Sequence, residues 1–233
     1  MPEPSSMGAR LLEIYDRFYA AYGPQHWWPG DGPFEVIAGA ILTQSAAWTN
    51  VEMALANMRA GGCWSLQAVH RLPEPELAEL VRPSGYFNVK ARRLRNFVNT
   101  LVEQHGASLK RLFKGDPDIV RERLLAINGV GKETADSMLL YAGAHHSFVI
   151  DTYTKRILER HGWCDAKASY DDLQALCTGS LNQKRGAAQK GAGGAARRVL
   201  WIVRREKSAV RWYVLSNGEF SSFPGGGLLS RRD

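Results

Sequence analysis

Apolar residues recur at helical spacing through most of the first 177 positions. Leu11, Leu12, Ile14, Tyr15, Phe18 and Tyr19 form one stripe. They predict a helix over 11–21, stopped by Gly23-Pro24. Residues 25–33 are rich in breakers yet carry Trp27 and Trp28, and read as a loop. Positions 34–42 are apolar almost throughout and predict a buried helix, with another over 47–58. Short helices are expected to start near Ser65 and Glu74, the second with Pro75 in its first turn. Positions 88–104 are strongly amphipathic: Val89, Leu94, Phe97, Val98, Leu101 and Val102 share a face, and Lys90, Arg92, Arg93 and Arg95 lie largely off it. Asp116-Pro117 opens a further helix running to Ala126. No tight-turn signal between alternating strands occurs before 177, so an all-α chain of many short helices is expected.

Composition changes the picture in one respect. The 233 residues carry a formal net charge of +7, which suggests a polyanionic partner, nucleic acid above all. Of the 30 basic and 23 acidic residues, 11 and 3 lie in 178–233, a net of +8, which leaves 1–177 at −1. The excess charge therefore sits in a Gly- and Arg-rich tail, whose low-complexity stretch 186–196 reads as flexible and whose fold the pattern does not define. Neither a membrane-spanning run nor a secretory leader is evident, so a cytoplasmic protein is expected. Three scattered cysteines, Cys63, Cys164 and Cys177, suit a reducing compartment.

Two segments carry chemistry. In Leu125-Ala126-Ile127-Asn128-Gly129-Val130-Gly131-Lys132, an apolar helix end meets a Gly-x-Gly turn and a new helix begins. Such a turn is either an ordinary joint between helices or a phosphate grip, made by helix N-terminal amides that no Cβ obstructs. Further on, the apolar run Phe148-Val149-Ile150 leads into Asp151 and a helix start. On its own, that aspartate reads first as an N-cap.

Together these motifs resemble the helix-hairpin-helix DNA glycosylases of the endonuclease III superfamily. The resemblance extends upstream, to residues 35–44 ending in Leu42-Thr43-Gln44 and to residues 81–91 with Gly85-Tyr86-Phe87-Asn88-Val89-Lys90-Ala91. It covers roughly 11–177 in four motifs in the same order. It implies an all-α, two-domain fold, with a six-helix domain over 34–145 carrying the hairpin and a second helical domain from 1–33 and 146–177, followed by the atypical tail 178–233. The family pattern stops after Cys177, where the tail reads as an appendage or a shifted reading frame.

The resemblance also implies site roles. Asp151 corresponds to the essential aspartate, and Gln44 to the residue that fills the gap left by a flipped base. Ser45-Ala46 replaces the Asn-Thr that usually follows it. Gly129, Val130, Gly131 and Lys132 would hold phosphate, the first three through backbone amides, with Lys90 adding a contact. Arg92 and Arg93 read better as a solvated face. Where bifunctional members carry the lysine that attacks the sugar, this chain has Glu133, and Glu forms no Schiff base. A monofunctional glycosylase is therefore expected, closest to the 3-methyladenine DNA glycosylases of endonuclease III type. Trp27, Trp28 and Trp48 are the candidates for a base pocket, and core packing is the competing reading for each. Glu133 either adds a counter-charge to that pocket or is simply favoured at a helix start. Four closely spaced cysteines are lacking, so no iron–sulfur cluster and no other metal is expected. The implied partner is double-stranded DNA with damaged bases, bound by a monomer. The alternatives are a bifunctional glycosylase/lyase for oxidised pyrimidines and a non-catalytic DNA-binding module.

Overall fold

The computed structural model describes residues 4–22, 28 and 30–183. Trp27 and the basic segment 184–233, both of which carried expectations, lie outside the described residues. The described chain is helical, with no strand among its residues. In order the helices are α1 Pro4–Tyr22, α2 Pro33–Leu42, α3 Trp48–Ala60, α4 Leu66–Arg71, α5 Glu74–Leu80, α6 Phe87–His105, α7 Leu109–Leu112, α8 Pro117–Leu125, α9 Lys132–Ser137, α10 Thr152–Arg160 and α11 Tyr170–Gln183. A 3₁₀ turn at Arg82–Ser84 precedes α6, and α9 runs on into a wider π turn at Met138–Ala142.

Local sequence accounts for most of the boundaries. Ser65, Ser108, Asp116 and Asp151 each cap a helix with a side-chain oxygen, which takes an amide the helix cannot satisfy itself. The long α6 ends at Gly106, whose φ of +56° is the left-handed turn that stops helices. Every residue of α2 from Val36 to Leu42 is buried, as its unbroken apolar pattern requires.

Two apolar clusters form. The first gathers α2, α3, α6, α8 and the hairpin residues Ile127, Val130 and Ala135. The second draws on the two ends of the described chain: Met7, Leu11 and Tyr15 of α1 meet Phe148, Val149, Ile150, Leu158, Trp163 and, from α11, Leu173, Cys177 and Leu181. Gly8 lets α1 and α11 approach closely, since a Cβ there would stand 2.2 Å from the Ser180 carbonyl oxygen. α11 continues six residues past Cys177, so the break expected at that cysteine falls inside a helix instead. Tyr141, on the π turn, packs against both clusters and marks the line where they meet.

Candidate active site

The hairpin is built from outside as much as from within. Asn96 on α6 donates to the carbonyl oxygen and side chain of Asn128 at 3.3 and 3.2 Å. Gly129 has a φ of +96°, and a Cβ there would stand 2.3 Å from Cγ of Arg93. Both its backbone and its neighbour require glycine. Gly131 differs: its φ is −89°, and a Cβ there would meet nothing within 4 Å. Its bare backbone faces open space. The amides of Gly131 and Lys132 lead α9, and neither has an acceptor among the described residues.

Gln44, just beyond α2, is wired to this turn. Its Nε2 donates to the Gly129 carbonyl oxygen at 3.2 Å and to Thr134 Oγ1 at 2.9 Å. Its Oε1 accepts from Arg93 Nη1. Arg93 thus lies packed over Gly129 with its head on Gln44.

Between the two clusters opens a cavity of about 560 Å³. Its walls come from the α2–α3 loop (Gln44, Trp48), from α9 (Glu133, Thr134, Ser137), from the start of α10 (Asp151, Tyr153, Arg156) and from Trp28. Trp28 is only 7% exposed and meets Trp48 edge-on, with ring centroids 5.7 Å apart. The Tyr141 ring also lies against Trp28, with centroids 5.3 Å apart. Gly39 makes room for the pair, because a Cβ there would come within 3.2 Å of Trp28 Cζ2. Asp151 is both cap and wall. Its Oδ1 accepts from the Thr154 amide and hydroxyl, each at 2.8 Å, which leaves Oδ2 outside the cap. Chemically the cavity offers a carboxylate, aromatic faces and a second acidic group, all beside a DNA-type hairpin.

A profile of the HhH-GPD superfamily of base excision DNA repair proteins matches residues 38–183. The chain belongs to that superfamily. A protein of Methanocaldococcus jannaschii named as a DNA repair glycosylase is 44% identical over 168 residues, 71% of this chain and 76% of the relative. Endonuclease III of Thermotoga maritima is 30% identical over 151 residues, 62% of this chain and 63% of that protein. The crystal structure of Helicobacter pylori 3-methyladenine DNA glycosylase bound to 1,N6-ethenoadenine superposes with a TM-score of 0.72 at 26% identity, over 87% of this chain and 95% of the other. As an HhH-GPD protein the chain is a DNA glycosylase of base excision repair.

Within this HhH-GPD fold, three sequence expectations need correcting. Lys90 does not reach DNA. It is 1% exposed, and its Nζ donates to the carbonyl oxygens of Leu42 and Ser84 at 2.8 and 2.5 Å, tying the end of α2 to the turn before α6. The apolar pattern of α6 placed Lys90 off the core face, but an ammonium that caps free carbonyls can be buried. Val130 offers no amide to phosphate: its N–H donates to the Ile127 carbonyl oxygen at 3.0 Å, and its side chain is buried. Arg93 is no solvated charge, because Gly129 leaves a channel for it. Arg92, by contrast, is exposed and paired with Glu74. Lys132 is exposed too, and pairs with Asp171 of α11.

Trp28, Trp48, Glu133, Asp151 and Gln44 come together at the cavity. Tyr153, Arg156 and Thr134 also line it and were missed. The spacing of Tyr153 and Arg156, three apart on one helix face beyond Asp151, was the available signal. Some superfamily relatives hold an iron–sulfur cluster on four cysteines. The residues here do not fit one, with Cys63 buried in one cluster and Cys177 in the other. No helix among the described residues is long and apolar enough to cross a membrane.

Proposed function

We propose that the protein is a monofunctional DNA glycosylase that excises alkylated purines and works without a metal cofactor. One observation carries this reading: the cavity joins the Asp151 carboxylate to the Trp28–Trp48 pair, and lysine is absent from its described lining. The hairpin lysine, Lys132, is instead salt-bridged to Asp171 on the outer surface. The 3-methyladenine glycosylase likeness at 26% identity points the same way.

The chemistry follows from the residues. Gly131 and Lys132 present two amides and an ammonium to a backbone phosphate, which grips duplex without reading sequence. The damaged nucleotide leaves the stack and enters the cavity. Gln44, which lines the cavity and is braced by Arg93 and Thr134, is the residue to occupy the vacated place. An N-alkylated purine carries positive charge, so its glycosidic bond breaks with little acid help. Aromatic faces favour such a ring by about 0.5–2 kcal/mol each, and Glu133 adds a negative charge. Asp151 then stabilises the oxocarbenium at C1′ and orients the water that attacks it.

The test is release of free base from methylated duplex, followed by alkali to reveal abasic sites. Wild type should release alkylated purine and leave the strand intact until alkali is added. Asp151→Asn keeps an N-cap oxygen, so the helix survives while base release falls about 10²–10⁴-fold. Strand cleavage without alkali, with a borohydride-trapped adduct, would overturn the monofunctional reading.

A further inference from the structure

Asp136 is the most deeply buried charge among the described residues, at 0% exposure, on the same helix as the phosphate-gripping amides. Arg121 on α8 clasps it with two bonds, from Nε at 3.0 Å and Nη2 at 3.1 Å. Ser147 Oγ donates to its Oδ1 at 2.7 Å, and Tyr170 Oη donates to its Oδ2 at 2.8 Å. Four donors fit the requirement that a buried carboxylate be fully paired.

The Tyr170 hydroxyl does a second thing. It accepts the Ile150 amide at 3.3 Å, and Ile150 immediately precedes Asp151. The segment 148–150 lies outside any helix and has no helical ladder of its own to hold it. Its side of α11 supplies the ties: Tyr170 to the Ile150 amide, and Gln174 Nε2 to the Phe148 carbonyl oxygen at 2.8 Å. Burial and the neighbouring Asp136 carboxylate both raise the Tyr170 phenol well above its ordinary value, so it stays protonated and keeps donating.

We propose that Tyr170, anchored on Asp136, is a positioning residue for Asp151: it fixes the carboxylate's place relative to the hairpin that holds the DNA backbone. This rests on the glycosylase reading of Asp151. Lys132 leads α9 and Asp136 lies one turn further along it. From there the path runs through Tyr170 Oη and the Ile150 amide to the reacting group, with one phenol bridging the two halves of the fold.

Tyr170→Phe removes the hydroxyl and keeps the ring in its packing. Three readouts test it, each taken well below the unfolding midpoint. In single-turnover base release from methylated duplex, Tyr170→Phe should be slowed about tenfold or more, since small misplacements of a reacting group carry losses of that size. Affinity for a duplex holding an uncleavable abasic analogue should stay within about twofold of wild type, because the phosphate grip is untouched. Amide exchange should speed up at Ile150 and also at Thr154, whose N–H bonds the Asp151 carboxylate. Placed on Asp151→Asn, the same change should slow release no further. Val98→Ala, a core truncation in the other cluster, controls for lost stability and should release base at the wild-type rate.

Release by Tyr170→Phe within twofold of wild type overturns the proposal. So does an equal slowing in the Asp151→Asn background or in the Val98→Ala control, or retained protection at Thr154. The exchange readout needs no turnover. A wild-type chain that releases no base therefore overturns the glycosylase reading, while Thr154 still decides whether Tyr170 positions Asp151.

Discussion

Replacing Gly129 with alanine tests whether the hairpin is shaped from within or braced from α6. The new Cβ would stand 2.3 Å from Arg93 Cγ, and the residue would have to keep a φ of +96°. Backbone strain of that kind costs about 1–3 kcal/mol. Arg93 cannot share the space, so it swings out and drops its bond to Gln44 Oε1, at a further ~1.5–3 kcal/mol for a charge-assisted bond. The expected loss is about 2.5–6 kcal/mol, read by urea unfolding. Most of the steric part should be relieved in Arg93→Ala, because Cγ and Cδ are then gone and only the Arg93 Cβ, 2.9 Å from the new methyl, still presses on it. The double variant Gly129→Ala/Arg93→Ala should therefore lose at least ~1 kcal/mol less than the two single changes added together. Gly131→Ala is the contrast. Its Cβ meets open space, so stability should stay within about 0.5 kcal/mol while duplex affinity falls several-fold, since the Cβ obstructs an incoming phosphate. Full additivity at Gly129 and Arg93, or a Gly129→Ala chain as stable as wild type, would refute the bracing.

Two further changes probe charge. Asp171→Asn removes the partner of Lys132, and should tighten duplex binding about two- to fivefold at low salt with the gain fading as salt rises, measured by fluorescence anisotropy; equal or weaker binding at low salt contradicts it. Lys90, buried and near Arg93, is lowered from 10.5 to about 8, so between those pH values the unfolded chain binds the proton that the folded chain has released. Stability should therefore rise across pH 8 to 10.5, by about 3 kcal/mol relative to Lys90→Met in urea unfolding, and a difference independent of pH would show that the ammonium carries no burial penalty.

The helices were legible because apolar spacing and capping residues both mark them, as at Ser65, Asp116 and Asp151. Short α7 and the π turn were not, because four or five residues carry too little periodicity. At the site, the aromatic pair and the aspartate could be read by type and order along the chain. Arg93 and Lys90 could not, because their surroundings are made by tertiary neighbours: a missing Cβ at Gly129 for one, two helix-end carbonyls for the other. Asp136 and Tyr170 were equally invisible. Their partners lie 34 positions apart, and neither falls in a motif.

The pairing of α1 with α11 has a consequence for how the protein is made. Residues 28–139 supply the whole buried first cluster, so the hairpin's apolar partners are all present once that stretch has been made. The second cluster must wait, because Met7 needs Leu181 and its neighbours, 174 positions later in the chain, as partners. At about 5–20 residues per second, some seconds of synthesis separate Leu139 from Leu181, and over that time Asp151 lacks its partners on α11. A chain truncated before α11 would keep the residues of the first cluster but lose the Tyr170 and Gln174 ties to the segment before Asp151.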